Sequence, residues 1–256
     1  MSASPPATPP IVLAFAASDP TGGAGLQADL LTLAALGCHP LSVLTALTVQ
    51  DTSGVEHLQA VGADLVARQA GRLLAETKVA AFKIGVLGSV ENVRAVAAIV
   101  AEHSQVPLVL DPVLASGRGD PLASDAVLAA LCELLVPRST VVTPNSIEAK
   151  RLGGRQRLLE LGCRYVLVTG THEAGPEVVN TLYDSGGVVR EDRWQRLPGS
   201  YHGSGCTLAA AIAAALAKGR RVPEAVREAQ EYTWQALAAG FRPGAGQWLP
   251  NRFFRK

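Results

Sequence analysis

Residues Ile11–Leu31 read IVLAFAASDPTGGAGLQADLL: seven apolar residues, a polar glycine-rich turn, and then a helix opened by that turn. This order is a βα unit, and it decides the fold because it repeats. Further strand candidates are Leu41 to Val49, Ala80 to Leu87, Leu108 to Val113, Thr140 to Thr143 and Tyr165 to Thr169. Each is nearly continuous in apolar residues, as a strand covered on both faces must be. Between them, Leu65, Gln69 and Leu73 with Val66, Ala70 and Leu74 recur at three to four residues, as do Val93, Val96, Ala97 and Val100 within Glu91 to His103. Alternation of this kind predicts an α/β chain with a largely parallel sheet.

After Gly170 the pattern changes. Asn180 to Asp184 and Val188 to Trp194 flank Ser185-Gly186-Gly187, which predicts an antiparallel hairpin and hence a mixed sheet edge. Gly205 opens an alanine-rich helix to about Lys218, and another follows Pro223 and ends near Gly240. With no internal repeat or linker, residues 11–256 are expected to form one domain behind a proline-rich, disordered leader of residues 1–10.

The chain has 256 residues, 48% of them apolar, enough for one large core. Its 23 basic and 22 acidic side chains give a net charge of +1, so no broad surface for a nucleic-acid backbone is expected. The basic end, Arg252 to Lys256, is expected to be solvated. Four cysteines, Cys38, Cys132, Cys163 and Cys206, lie far apart without a CxxC pair, which fits a reduced, cytoplasmic setting and gives no zinc spacing. Neither an export signal nor a membrane-spanning stretch is visible, so no membrane partner is expected.

In open α/β sheets ligands sit beyond the carboxyl ends of the strands. The first strand is followed by Ser18 to Gly25, whose glycines let backbone amides approach a ligand, or else simply make a tight βα turn. Asp29, on the following helix, either faces the strand ends or is an ordinary acid favoured by the helix dipole. Gln50 ends a strand with an amide able to donate to and accept from a heteroaromatic ring. Asp111-Pro112 and Thr143-Pro144-Asn145-Ser146-Ile147-Glu148 bring two carboxylates and an amide to neighbouring strand ends. That suits a magnesium ion shared with phosphates, although Asn145 and Glu148 also read as a helix cap. In His202-Gly203-Ser204-Gly205-Cys206-Thr207 a glycine-rich turn enters a helix, so unpaired amides and the dipole offer a site for phosphoryl charge. Cys206, at that helix start, is expected to have its pKa lowered and to act as a base.

In order, SDPTGGAGLQADL, TALTVQDTSGV, KIGVLGS, LDPV, TPNSIEA and HGSGCTLAAAIAAALA resemble the hydroxymethylpyrimidine/phosphomethylpyrimidine kinases of thiamine biosynthesis, within the ribokinase-like superfamily. The match runs from about Ile11 to Gly240. It implies a three-layer fold, a mostly parallel central sheet between helices with an antiparallel edge. It also implies ATP, Mg2+, a pyrimidine substrate phosphorylated twice in one site, and a homodimer. By the resemblance, Cys206 with Gly203, Ser204 and Gly205 is catalytic, and Ala17, Asp29, Gln50 and Val86 contact the pyrimidine. Asn145, Thr169, Gly170 and Gly205 hold ATP, and Asp111 and Glu148 serve the metal. Cysteine at the base position, where most of the superfamily has aspartate, favours the pyrimidine branch over a pyridoxal kinase. A vitamin-binding protein that has kept the fold without the chemistry is the reading from another class. Departures from the family pattern are Ala17 for glycine, Val86 for methionine, and the lack of a lysine near Gly117 and at Thr169. Arg118 is expected to supply the missing charge to ATP. The segment Gly153 to Gly162 is short, with room for one small helix.

Overall fold

The computed structural model describes residues 8–116 and 118–255. The first seven residues of the expected leader and Gly117 lie outside the described residues. Pro10 is already fastened, its carbonyl accepting from His39 N at 2.9 Å.

The strands are β1 Ile11–Ala17, β2 His39–Gln50, β3 Val55–Ala60, β4 Ala81–Ile84, β5 Leu108–Leu110, β6 Val141–Val142, β7 Tyr165–Thr169, β8 Glu177–Asp184 and β9 Gly187–Gln195. The helices are α1 Gly25–Ala35, α2 Ala63–Leu74, α3 Val90–Glu102, α4 Asp125–Ala130, α5 Ser146–Arg151, α6 Gly154–Glu160, α7 Ser204–Ala217 and α8 Val222–Ala238. One nine-stranded sheet has the order β3-β2-β1-β4-β5-β6-β7-β8-β9. From β2 to β7 all neighbours are parallel. β3 at one edge and the β8–β9 hairpin at the other are antiparallel. The hairpin and the one short helix after Gly153 match expectation.

Two expected strands are shorter than their apolar runs, because the chain leaves the sheet at Gly85 and before Pro112, a residue with no N–H to pair. β3, VEHLQA, was not expected. It has a single neighbour, β2, and is only half-covered, so its sequence carries no apolar run.

Side chains divide between the two faces by the period of the strand. Leu13, Phe15, Phe82, Ile84 and Leu110 pack with α2, α3 and α4. Val12, Ala81, Val109 and Leu167 pack with α7 and α8. Thr207 to Leu216 of α7 are all buried, as a helix apolar on every side requires, and its alanines let α8 and the sheet close on it. This burial fixes the start of α7 at the edge where all the parallel strands end.

Candidate active site

The residues at that edge line a cleft of ≈ 510 Å³. Ala17, Gln50, Val86, Asp111, Asn145, Glu148, Thr169 and Cys206 all line it. Of the thirteen site residues proposed from sequence, all line the cleft except Asp29 and Gly170.

The start of α7 is built by glycine. Gly203, its N-cap, has φ +81°, and a β-carbon there would lie 1.8 Å from Gly23 O. The first intrahelical bond runs from Thr207 N to Gly203 O at 3.0 Å, so the amides of Ser204, Gly205 and Cys206 point out of the helix end into the cleft. A β-carbon at Gly25, with φ +58°, would lie 2.4 Å from Ala17 O. The loop between β1 and α1 therefore folds back on its strand.

That loop is organised by Asp19, a residue given no role from sequence. Asp19 Oδ1 accepts from Thr21 N at 2.8 Å, and Oδ2 accepts from Ala24 N at 2.6 Å and Thr21 Oγ1 at 2.9 Å. His202 Nε2 lies 2.8 Å from the same Oδ2 and 3.5 Å from Gln50 Nε2. Burial alone would raise the Asp19 pKa, but His202 and the loop donors hold it well below the carboxylate range. The signal available in the sequence was an acid in a turn and a histidine beside Gly203.

Asp29 is not a cleft residue, which corrects the expectation. It sits on the second turn of α1 without solvent exposure, its carboxylate oxygens 2.9 Å from the equally buried Lys83 Nζ of β4. Burial pushes Asp29 up to about 6, still below neutrality. Burial would lower Lys83, but Asp29, Cys206 and Asp111 outweigh it and hold the ammonium above its ordinary value. Lys83 faces the cleft and was missed, although a lysine inside an apolar strand, AFKI, was the available signal.

Gly170 is the second correction. Its N–H is spent on Asn180 Oδ1 at 3.0 Å, and its α-carbon packs against Val179 O. Cys206 is the third: burial, reinforced by the charges of Asp111 and Asp29 and opposed by Lys83, pushes the thiol up to about 12 rather than down. Arg118 donates to Ser53 O on the turn after β2, away from Thr169. Cys38 and Cys163 are buried, while Cys132 is partly covered.

Asn145 and Glu148 form a full capping box on α5, as the helix-cap reading expects, and both also line the cleft. Asn145 Oδ1 accepts from Ile147 N and Glu148 N at 2.9 Å each, and Glu148 Oε2 accepts from Asn145 N at 2.9 Å. Burial and the nearby Asp111 push Glu148 up to about 7. Asp111 Oδ1 is 3.3 Å from Thr143 Oγ1, whereas its buried Oδ2 has no hydrogen-bond partner. Burial raises the Asp111 pKa against the pull of Lys83. An orphaned carboxylate oxygen beside a second acid is a donor set that fits magnesium, which needs one or two carboxylates plus phosphate oxygens. Among the described residues no group of three or more His, Cys, Asp or Glu could hold a metal alone.

A parallel sheet flanked by helices, with an amide-lined helix start and acids at one edge, defines a ribokinase-like phosphotransferase. Residues 19–251 match the phosphomethylpyrimidine kinase family, and the chain belongs to it. It is 42% identical to the hydroxymethylpyrimidine/phosphomethylpyrimidine kinase of Streptomyces coelicolor, with 94% of each chain covered. Among solved structures it is similar to the Staphylococcus aureus pyridoxal kinase in complex with pyridoxal, at 27% identity and TM-score 0.87 over 97% of this chain and 95% of that one. It is also similar to the Clostridium difficile phosphomethylpyrimidine kinase, at 31% identity and TM-score 0.76 over 88% and 97%.

Removing one charge of a buried pair strands the other, so Lys83→Met is expected to cost about 3–5 kcal/mol in urea unfolding at pH 7. Adding Asp29→Leu should recover much of that loss; simply additive losses would show that the two charges do not compensate one another. Glu148 titrates higher in the folded chain than its unfolded value of about 4.3, so its contribution is most favourable at low pH and is lost as pH rises through about 7. Glu148→Gln is therefore expected to be about 1–3 kcal/mol more stable than the parent at pH 8 without nucleotide, with the gain shrinking at pH 5.

Proposed function

We propose that the chain transfers the γ-phosphoryl group of ATP to the hydroxymethyl of 4-amino-5-hydroxymethyl-2-methylpyrimidine. It then phosphorylates the monophosphate in the same cleft, giving the diphosphate used in thiamine biosynthesis. The observation that carries this reading is the place of Cys206: it lines the same cleft as Gln50, at the end of β2, and Asn145, just after β6, and its helix α7 packs on β1, β4 and β5, the strands between those two. Ala17, Gln50 and Val86 line the end that would receive the pyrimidine. Thr169 and Asn145 line the end that would receive the nucleotide.

The chain's part in the chemistry is orientation and charge. The Ser204, Gly205 and Cys206 amides face the position where negative charge builds on the migrating group. Cys206, once its own proton has been lost to solvent, holds the hydroxymethyl oxygen as a thiolate and receives the alcohol's proton late, since phosphoryl transfer makes little demand on a base before the bond to phosphorus has largely changed hands. A thiol near 12 is protonated in the free protein, and Lys83 is the neighbour that draws it down. Asp111 and Glu148 would hold a magnesium ion, whose charge would offset that of Asp111, which after burial does most to keep that thiol protonated.

The reading includes a homodimer and a cytoplasmic setting. Leu47 and Val49 of β2 are 51% and 53% exposed, an apolar face for a second copy. The four cysteines are free, and no described helix is long and apolar enough to cross a membrane. Pyridoxal phosphorylation is the rival use of the same cleft, supported by the likeness to the S. aureus enzyme.

A coupled assay of ADP release with the hydroxymethylpyrimidine, its monophosphate and pyridoxal tests the reading. Turnover of both pyrimidines is expected; turnover of pyridoxal alone would overturn it. In that assay Cys206→Ala should lower kcat by about 100-fold or more while pyrimidine binding persists. Asp111→Asn should raise the magnesium concentration needed for half-maximal rate, and an unaltered magnesium titration would remove Asp111 from the metal site.

A further inference from the structure

Arg252, the first residue of the basic end expected to be solvated, enters the core, while Arg255 stays exposed. Arg252 is 4% exposed, and its guanidinium donates to two segments that meet at the active site. Nε reaches Thr207 Oγ1 at 3.2 Å, Nη1 reaches Gly22 O at 3.2 Å and Nη2 reaches Gly23 O at 2.5 Å. Gly22 and Gly23 belong to the loop after β1, while Thr207 is the residue after Cys206. The arginine is itself fixed to α8: Tyr232 Oη donates to Arg252 O at 2.7 Å, and Asn251 N donates to Ala236 O at 2.9 Å.

These contacts close a ring. Gly23 O, held by Nη2, is the atom that sits against the α-carbon of Gly203. Gly203 O accepts from Thr207 Oγ1 at 2.8 Å, and that hydroxyl accepts from Nε. The loop is also pinned by Asp19 and Thr21: the Gly22 and Gly23 carbonyls are held by Arg252, the Thr21 and Ala24 amides by the acid and the Gly23 amide by Thr21 Oγ1. Burying a guanidinium is costly unless its donors are met. Here the three bonds go to neutral oxygens, and among the described residues no carboxylate lies within ion-pair distance of it. A lysine has one compact head where this site uses a planar fork spread over three acceptors.

The geometry points to Arg252 as a positioning residue for phosphoryl transfer. Its three-pronged clamp sets the spacing between the glycine loop and the first turn of α7, and with it the aim of the Ser204–Cys206 amides and the Cys206 sulfur. It acts through Gly23 and Thr207 without touching substrate. The inference rests on the proposed reaction and adds to it a control exerted from the far end of the chain.

The test compares the parent enzyme with Arg252→Lys, Arg252→Met and Arg252→Ala, recording kcat, both KM values, basal ATP hydrolysis and the thermal unfolding midpoint. A misaimed catalytic turn predicts a kcat about 10- to 100-fold lower in Arg252→Met at temperatures where it is fully folded, with the KM for ATP and for the alcohol changed by less than about threefold. Arg252→Lys should fall between the two, and millimolar methylguanidinium should raise the kcat of Arg252→Ala but not that of Cys206→Ala. A kcat for Arg252→Met within about twofold of the parent, or a loss matched by its unfolded fraction, would overturn the assignment. If the methionine variant does not fold, the lysine variant decides: parental kcat overturns the assignment, and reduced kcat with parental KM supports it. Inertness of the parent toward the hydroxymethylpyrimidine, its monophosphate and pyridoxal would instead sink the proposed reaction, and the clamp is then judged by basal ATP hydrolysis in the same variants.

Discussion

The site is built around one buried positive charge. Lys83 Nζ has no solvent, yet it serves Asp29 directly and acts on Asp111 and Cys206, whose groups converge under the cleft floor. Without it, Asp29 and Asp111 would share a desolvated region with only Arg252, beyond ion-pair distance, acting on Asp29, a situation that proteins relieve by protonation. With it, Asp29 is locked, while Asp111 keeps one oxygen unpartnered and turned to use. The cost of burying Lys83 thus leaves an acid available at the edge of the sheet. Gly85 is part of the arrangement, since a β-carbon there would lie 2.9 Å from Nζ.

Such a cluster needs a frame that brings distant residues to one edge. The frame is the parallel sheet, in which β1, β4, β5, β6 and β7 all end on the same side. Asp19, Lys83, Asp111, Thr143 and Thr169 meet because each sits on or just beyond such a strand. α7 is pressed into the opposite layer by ten consecutive buried residues, and this fixes its first turn. Close contact of Gly23 O with Gly203 then joins the first loop to the last layer, backbone against backbone, where side chains would only hold them apart.

Much of this was legible in the sequence, for physical reasons. β1 and β7 coincide with their apolar runs because both are covered on two faces, and the run is then the whole signal. β3 was invisible because an edge strand with polar side chains has no such run. The residues at strand ends were readable because position alone marks them. Lys83 and Arg252 were not, since whether a cation is buried depends on acceptors far away in sequence: Asp29 for one, and Gly22, Gly23 and Thr207 for the other. Cys206 shows the same limit in energetic form. Helix polarity argues for a lowered pKa, but desolvation and two neighbouring acids win, and neither can be weighed before the chain is folded.

The missing lysine at Thr169 bears on how phosphate charge is met. Arg118 is committed to Ser53 O, and Asp120 beside it accepts from Val55 N at 3.0 Å, so that loop braces the turn after β2. Arg196 lines the cleft but gives its donors to the carbonyls of Thr171, Glu173, Gly175 and Glu177, which shapes the loop after β7. Lys83 is bound to Asp29. The permanent cations near the cleft are therefore engaged with the protein itself. On the proposed reaction, what remains for an incoming phosphate is the Ser204–Cys206 amides with the helix dipole behind them, and the pair Asp111 and Glu148, which would attract a divalent ion and cannot attract an anion. Amides supply partial charge in a fixed direction, whereas a lysine supplies a full charge on a flexible stem. A site that relies on amides gains geometric definition and loses net charge. In this chain that exchange makes the spacing of one backbone turn, and whatever holds it, the controlling variable.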